Sequence, residues 1–420
     1  ADEVSCTDGL DNDCDGFPEV RRSRKLEVVV EAARLHRSSV DTQVVRFGGG
    51  HLAVWVDEQF SFQSNDAVLY RLTDAALQPH PRSGALDFVS NAVVLRPAPD
   101  GMTYAVTSSL SNLQVLPFTG GALVLWEGYD AATDARFRRV ARLEVGPSPA
   151  EAVVGMAKRE LPASVAAAPL HAAVSRDGQS LLLAWSAEGV LLGQAFGPDL
   201  SPRSEPKPLS VPLADEPPSP RLARAAVAAA GASDFAVGWS LVPAQPGAPS
   251  LLRFRRVSAT LEPLGEVVAA QGQGPLADLR LLPGEAEDAA PLAVWLEAPG
   301  TSAGGMSAAG AGLVVAQPFV SGAAALAPVP LPTTGARLQL ARDGDGILLV
   351  HPGEVPASGE APGLVLRRIA ADGSSAVRQL GAVPASSFAP VSILPDVEPG
   401  FVSVIYTADE RAQLSAACRL

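Results

Sequence analysis

Leu52-Ala53-Val54-Trp55 is a short apolar run that ends in an aromatic ring, and it is the first of seven such runs. The others are Leu123-Val124-Leu125-Trp126, Leu182-Leu183-Ala184-Trp185, Phe235-Ala236-Val237-Gly238-Trp239, Leu292-Ala293-Val294-Trp295, Leu348-Leu349-Val350-His351 and Val402-Ser403-Val404-Ile405-Tyr406. Their closing rings are spaced 71, 59, 54, 56, 56 and 55 residues apart. A period of this length with β-type punctuation marks a repeat architecture, and it has to be read before any local motif.

Each run sits in a four-step unit. In the clearest copy an apolar stretch, Ala225-Ala226-Val227-Ala228, leads through a turn at Gly231-Ala232-Ser233-Asp234 into the run ending at Trp239. A third strand follows over residues 251–257 and a fourth over residues 265–269. Four short strands separated by turn signals are the content of one propeller blade. The aromatic-ending runs do not alternate between apolar and polar residues. A strand that is apolar on both faces needs cover on both sides. Blades packed face to face supply it, with the aromatic wedged between neighbouring sheets as a core residue.

The chain ends suggest how such a ring closes. After Tyr406 there is room for a third strand, residues 413–419, but no fourth. The apolar strand Leu26-Glu27-Val28-Val29-Val30 has no blade of its own and is expected to complete the last one. The long first interval places an inserted hairpin or loop within residues 93–116, around Pro99-Asp100-Gly101. The expected fold is therefore all-β: a seven-bladed β-propeller over residues 25–420, closed by an N-terminal strand and preceded by a short calcium-type loop over residues 1–24.

Composition narrows the function. The net charge of −13 argues against nucleic acid as a partner, because phosphate binding needs a basic patch. No stretch is long and apolar enough for a membrane helix, so no membrane insertion is expected. A start at Ala1-Asp2 is what a cleaved export product looks like.

The N-terminal segment carries the one chemical motif. In Cys6-Thr7-Asp8-Gly9-Leu10-Asp11-Asn12-Asp13-Cys14-Asp15-Gly16-Phe17-Pro18-Glu19, the carboxylates of Asp11, Asp13 and Asp15 alternate and Gly16 follows. Oxygen ligands at positions 1, 3 and 5 with a glycine at 6 open a Ca²⁺ loop. Position 7 then offers the Phe17 carbonyl and position 9 Glu19. Position 12 is Arg22 where an EF-hand needs a bidentate Glu, so the loop is EF-hand-like only. Cys6 and Cys14 flank it and are candidates for a local disulfide; a bond from either of them to Cys418 is the alternative.

The string Cys-x-Asp-Gly-x-Asp-Asn-Asp-Cys-Asp-Gly resembles the Cys/Asp-rich metal-binding motif of secreted and surface proteins from myxobacteria and related Gram-negative groups. The resemblance covers about residues 4–19. It implies export, a bound divalent cation and a place at the cell surface.

Catalytic signatures are sparse. His36, His51, His80, His171 and His351 show no metal-ligand spacing. The turn Ser175-Arg176-Asp177-Gly178 misses the spacing of a sialidase Asp box and, like Ala98-Pro99-Asp100-Gly101, resembles the generic turn of TolB-like propellers. Glu127, Asp130, Glu188, Glu297 and Glu354 follow the aromatic-ending strands and are expected on one face, chiefly as solvated loop charges. The reading from sequence is an exported recognition or assembly module whose partner is a protein or polysaccharide at the cell surface. A propeller-type polysaccharide hydrolase or lyase is one alternative, and a structural subunit of an extracellular polymer or envelope complex is the other.

Overall fold

The structure is a computed structural model that describes residues 20–25, 37–59, 65–74, 79–90, 93–98, 102–146, 157–161, 170–211, 222–241, 250–272, 276–284, 289–297, 312–320, 329–330, 339–344, 346–352, 363–370, 374–382, 389–395, 401–408 and 411–418. Among these residues every regular element is a β-strand.

The strands form seven four-stranded antiparallel sheets. Sheet I contains β2 (Arg37–Phe47), β3 (Gly50–Gln59), β4 (Asn65–Thr73) and β5 (Pro79–Ser90). A separate hairpin, β6 (Val94–Pro97) and β7 (Thr103–Val106), follows it. Sheet II contains β8 (Ser109–Phe118), β9 (Gly121–Asp130), β10 (Ala135–Glu144) and β11 (Ala157–Glu160). Sheet III contains β12 (Leu170–Val174), β13 (Leu181–Ala187), β14 (Val190–Phe196) and β15 (Lys207–Pro208). Sheet IV contains β16 (Leu222–Ala229), β17 (Phe235–Leu241), β18 (Leu251–Val257) and β19 (Val268–Gln271). Sheet V contains β20 (Leu276–Leu282), β21 (Leu292–Glu297), β22 (Gly312–Ala316) and β23 (Val329–Pro330). Sheet VI contains β24 (Gln339–Asp343), β25 (Gly346–Pro352), β26 (Gly363–Ile369) and β27 (Ser375–Ala382). Sheet VII joins β28 (Ala389–Pro395), β29 (Phe401–Ala408) and β30 (Arg411–Cys418) to β1 (Val20–Lys25) from the other end of the chain.

Sheets I to VI are meanders, each strand pairing with the next in sequence, and each aromatic-ending run is the second strand of its sheet. The tight links between first and second strands use left-handed backbone. Gly48, at φ +61°, turns β2 into β3. The inserted segment is the β6–β7 hairpin, as the long first interval implies.

Two compact units divide the chain. The first holds sheets VII, I and II with the hairpin, and the second holds sheets III to V and most of sheet VI. Within the first, β2 runs beside both β8 and β28; within the second, β16 runs beside both β12 and β20. These first strands lie side by side, and within the units the faces of sheets I and II, III and IV, IV and V, and V and VI pack on one another.

Three of the repeat aromatics sit in those packed faces. Trp126 is buried against Leu52, Val54 and Val68 of sheet I. Trp239 packs with Leu182, Ala184 and Leu191 of sheet III. Trp295 packs with Ala236, Leu252 and Phe254 of sheet IV. Trp185 and His351 are equally buried. Trp55 packs within its own sheet on Ala67 and Leu69. A buried side chain of this size stabilises by about 2–3 kcal/mol, so the repeat supplies the cores directly.

Two expectations are corrected. The strand that completes sheet VII is Val20–Lys25, in register from Val20↔Ala417 to Lys25↔Gln413, and not residues 26–30, which lie outside the described residues. The last strand of a sheet has one open edge, where a polar sequence such as Val-Arg-Arg-Ser-Arg-Lys is better suited than an apolar one. Strand β1 therefore overlaps the segment assigned to the acidic loop, residues 1–24. In sheet IV the fourth strand begins at Val268, because Gly265 is spent on a turn at φ +109°.

Candidate functional site

In each described meander, the start of the first strand and the end of the second lie at the same end of the sheet. Polar side chains of the first strands gather there. In the second unit they are His171 on β12, Arg224 on β16, and Asp278 and Arg280 on β20.

Local irregularities present these side chains. β16 carries a bulge between Leu222 and Arg224, and β20 carries one between Leu276 and Asp278. A bulge adds an unpaired residue and re-aims the side chains around it. Arg224 is exposed and reaches across to β20, donating from Nε to the Ala277 carbonyl at 3.0 Å. Asp278 accepts from Arg280 Nε at 2.9 Å. His171 is half-buried. Burial pushes its pKa below the ordinary 6.5, against the Asp278 carboxylate, which pulls it up. The set therefore offers an anchored guanidinium, a carboxylate already paired with an arginine, and a neutral imidazole at pH 7. These groups suit hydrogen bonding to a polar ligand.

The same end of sheets I and II is built differently. Gln43 on β2 spans to β8, donating from Nε2 to the Leu113 carbonyl and accepting from the Val115 N–H, both at 2.7 Å. Its amide acts as an extra ladder rung between two bulged strands. Asn112, in left-handed backbone at φ 54°, donates to Glu127 Oε2 at 2.6 Å, and Glu127 also pairs with the buried Arg138.

The acids that follow the second strands do not form a cluster. Glu127 is held by Asn112 and Arg138. Asp130 caps its own turn through Ala132 N–H and Thr133 Oγ1, and the Thr133 hydrogen bond holds its pKa down. Glu188 is exposed in a turn at φ 51°. Glu297 is not a solvated loop charge: it is buried and accepts the Trp295 indole N–H at 3.0 Å. Glu354 lies outside the described residues. Asp177 likewise serves its hairpin, accepting from Ser175 Oγ at 2.6 Å and Gln179 N–H at 2.9 Å. The loop ligands Asp11, Asp13, Asp15, Phe17 and Glu19, with Cys6 and Cys14, also lie outside the described residues. Cys418 is the last residue of β30, one step past the Ala417↔Val20 pair.

A second concave feature lies in the same unit. An open groove of about 700 Å³ runs between the outer part of sheet IV and sheet V. Its floor is an edge-to-face pair, Phe254 and Phe319, with ring centres 6.3 Å apart. Leu264, Val268 and Val320 are exposed along it. Neither this groove nor the Arg224–Asp278 set has a motif in the sequence, because both arise from strands more than forty residues apart.

No family model matches the chain, and no curated protein matches it. Several solved structures are similar. One is from a structural and mechanistic analysis of two prolyl endopeptidases, at 14% identity and TM-score 0.48, covering 90% of this chain and 47% of that one. Another is the β-propeller domain of the Trilobed protease from Pyrococcus furiosus, described as having an open velcro topology, at 10% identity and TM-score 0.44, covering 92% of this chain and 94% of that one. A third is Trypanosoma rangeli sialidase in complex with 2,3-difluorosialic acid, at 9% identity and TM-score 0.43, covering 91% of this chain and 54% of that one. The chain spans about half the length of the endopeptidase and sialidase chains.

Proposed function

We propose that the chain folds as a seven-bladed β-propeller closed by β1 and β30 and works as an exported recognition module at a cell surface. Three features support the ring: seven sheets of four strands among the described residues, first strands that lie side by side in sheets VII, I and II and in sheets III, IV and V, and a last sheet completed by β1. The partner is a protein or polysaccharide, read from a rigid scaffold that leaves its loops free to vary.

The observation that favours binding over hydrolysis is the engagement of the acids. Most glycoside hydrolases cleave with two carboxylates facing one bond. Here Glu127, Asp130 and Glu297 each serve a partner within their own sheet. The N-terminal loop, with Asp11, Asp13, Asp15, the Phe17 carbonyl and Glu19, is proposed to hold a structural Ca²⁺.

A polysaccharide array probed with the full-length chain, with Ca²⁺ or with EDTA, tests these readings. Retention without release of reducing ends supports a binding module, and weaker retention in EDTA supports the metal loop. Release of reducing ends from any glycan would replace this reading with the hydrolase alternative.

A further inference from the structure

The two arginines at the first-strand end of the second unit are held in the same way. Arg224 on β16 donates from Nε to the Ala277 carbonyl of the neighbouring β20 at 3.0 Å, and from Nη1 to the Ala223 carbonyl at 3.4 Å. Arg280 donates from Nε to Asp278 Oδ2 at 2.9 Å. Ala277 and Asp278 are consecutive residues at the β20 bulge. One irregularity of the ladder thus pins both side chains by their inner nitrogens.

The outer nitrogens are left over. Among the described residues, Arg224 Nη2 and both Nη atoms of Arg280 have no acceptor. Arg224 is exposed, and the Arg280 side chain is 38% exposed. Asp278 is already committed: Oδ1 accepts the Leu279 N–H at 2.9 Å, and Oδ2 accepts from Arg280. Sheet II shows the opposite use of arginine. There Arg138 pairs through Nη2 with Glu127, and Arg139 pairs through its two Nη atoms with Asp87 and Glu160. A guanidinium fixed at Nε holds its terminal donors in a set direction, and planar donors of this kind match the paired oxygens of an oxoanion.

We propose that Arg224 and Arg280 bind the acidic groups, carboxylate or sulfate, of a polysaccharide. This rests on the reading of the chain as a recognition module and narrows its ligand. Two guanidinium groups against one carboxylate leave the set cationic on a chain whose net charge is −13, so attraction for an anion is local to the site. His171 on β12 favours a sugar over an acidic peptide. It feels the charge of Asp278 and is neutral at pH 7, so its ring offers one donor and one acceptor, as a hydroxyl does.

Retention of the full-length chain on immobilised polygalacturonate, dextran sulfate, plain dextran and polyglutamate tests the site. Polygalacturonate carries carboxylates and dextran sulfate carries sulfates, so the two supports tell which oxoanion is bound. The expected result is retention on one or both at least tenfold tighter than on dextran or polyglutamate. Arg224→Gln and Arg280→Gln each weaken it by about tenfold, and Arg280→Lys, which keeps the charge without the fork, recovers only part. Arg136→Gln, which removes an exposed charge from sheet II, leaves retention unchanged. Equal retention on dextran, or acidic-glycan retention that survives both Gln substitutions, would overturn the site and leave the recognition reading standing. Retention on polyglutamate alone, or on none of the four supports, would also overturn it and leave a protein partner as the surviving form of that reading. Release of reducing ends from a retained glycan would overturn the recognition reading itself.

Discussion

Trp126 and Trp295 occupy the same position of the repeat, and each buries an indole whose N–H needs an acceptor inside the core. The two solve this differently. Trp126 donates across the sheet I–II boundary to Asp87 Oδ2 at 2.8 Å. That oxygen also receives Arg139 Nη1 at 2.7 Å, and Arg139 lies over the Phe137 ring at 4.0 Å. Trp295 donates two residues along its own strand to Glu297. The sheet IV–V boundary beside it is closed by Ala226, Ala228, Leu279 and Leu281. At the buried indole one boundary is therefore tied by a polar bridge, whereas the other is apolar there and its polar tie, Arg224 to the Ala277 carbonyl, lies apart from the indole. What repeats in this chain is burial; the satisfaction of each buried polar group is settled locally.

The largest effect should come from breaking the bridge. Asp87→Ala leaves the Trp126 N–H and the Arg139 guanidinium without this acceptor, and should cost about 3 kcal/mol in denaturant unfolding. Asp87→Asn keeps an acceptor and should recover part of that. Glu297→Gln is the matched change at the other boundary. It also keeps an acceptor for the indole, which lies on its own strand, and the cost should be about 1 kcal/mol. Equal losses for Asp87→Asn and Glu297→Gln would show that the bridge across the boundary adds nothing to the local bond.

The contrast also explains what could be read from the chain. The seven apolar runs announced seven second strands because a strand covered on both faces has a sequence signature. The intervals between them located the β6–β7 insertion for the same reason. Asp87 gave no such signal. It lies 39 residues before Trp126, and its role depends on a register between sheets that no local pattern encodes. Glu297 was misread as a solvated charge because sequence shows its position at a strand end and not the indole beside it. The strand that completes sheet VII was misplaced by favouring the apolar residues 26–30 over the charged residues 20–25, although an edge tolerates charge better than a core does. Arg224 and Asp278 were passed over because bulges, which aim them, leave no mark in composition.

The smallest expected effect concerns the aliphatic unit, where one titratable group tests whether the first-strand end behaves as a partly dry surface. His171 on β12 feels the Asp278 carboxylate on β20. Burial holds its folded pKa below 6.5, and Asp278 limits the fall. Above pH 6.5 the imidazole is neutral in both folded and unfolded chains, so its contribution is complete. As pH falls below 6.5 the unfolded chain takes the proton first, and stability drops until the folded pKa is passed. One proton limits the slope to about 1.4 kcal/mol per pH unit. His171→Gln should flatten this part of the stability curve. Asp278→Asn should do the opposite: without the carboxylate the folded pKa falls further, and the acid-induced loss extends to lower pH. An NMR titration of the His171 ring reads this directly. If it titrates at or above 6.5 in the folded chain, the imidazole is solvated and the first-strand end is open to water rather than enclosed.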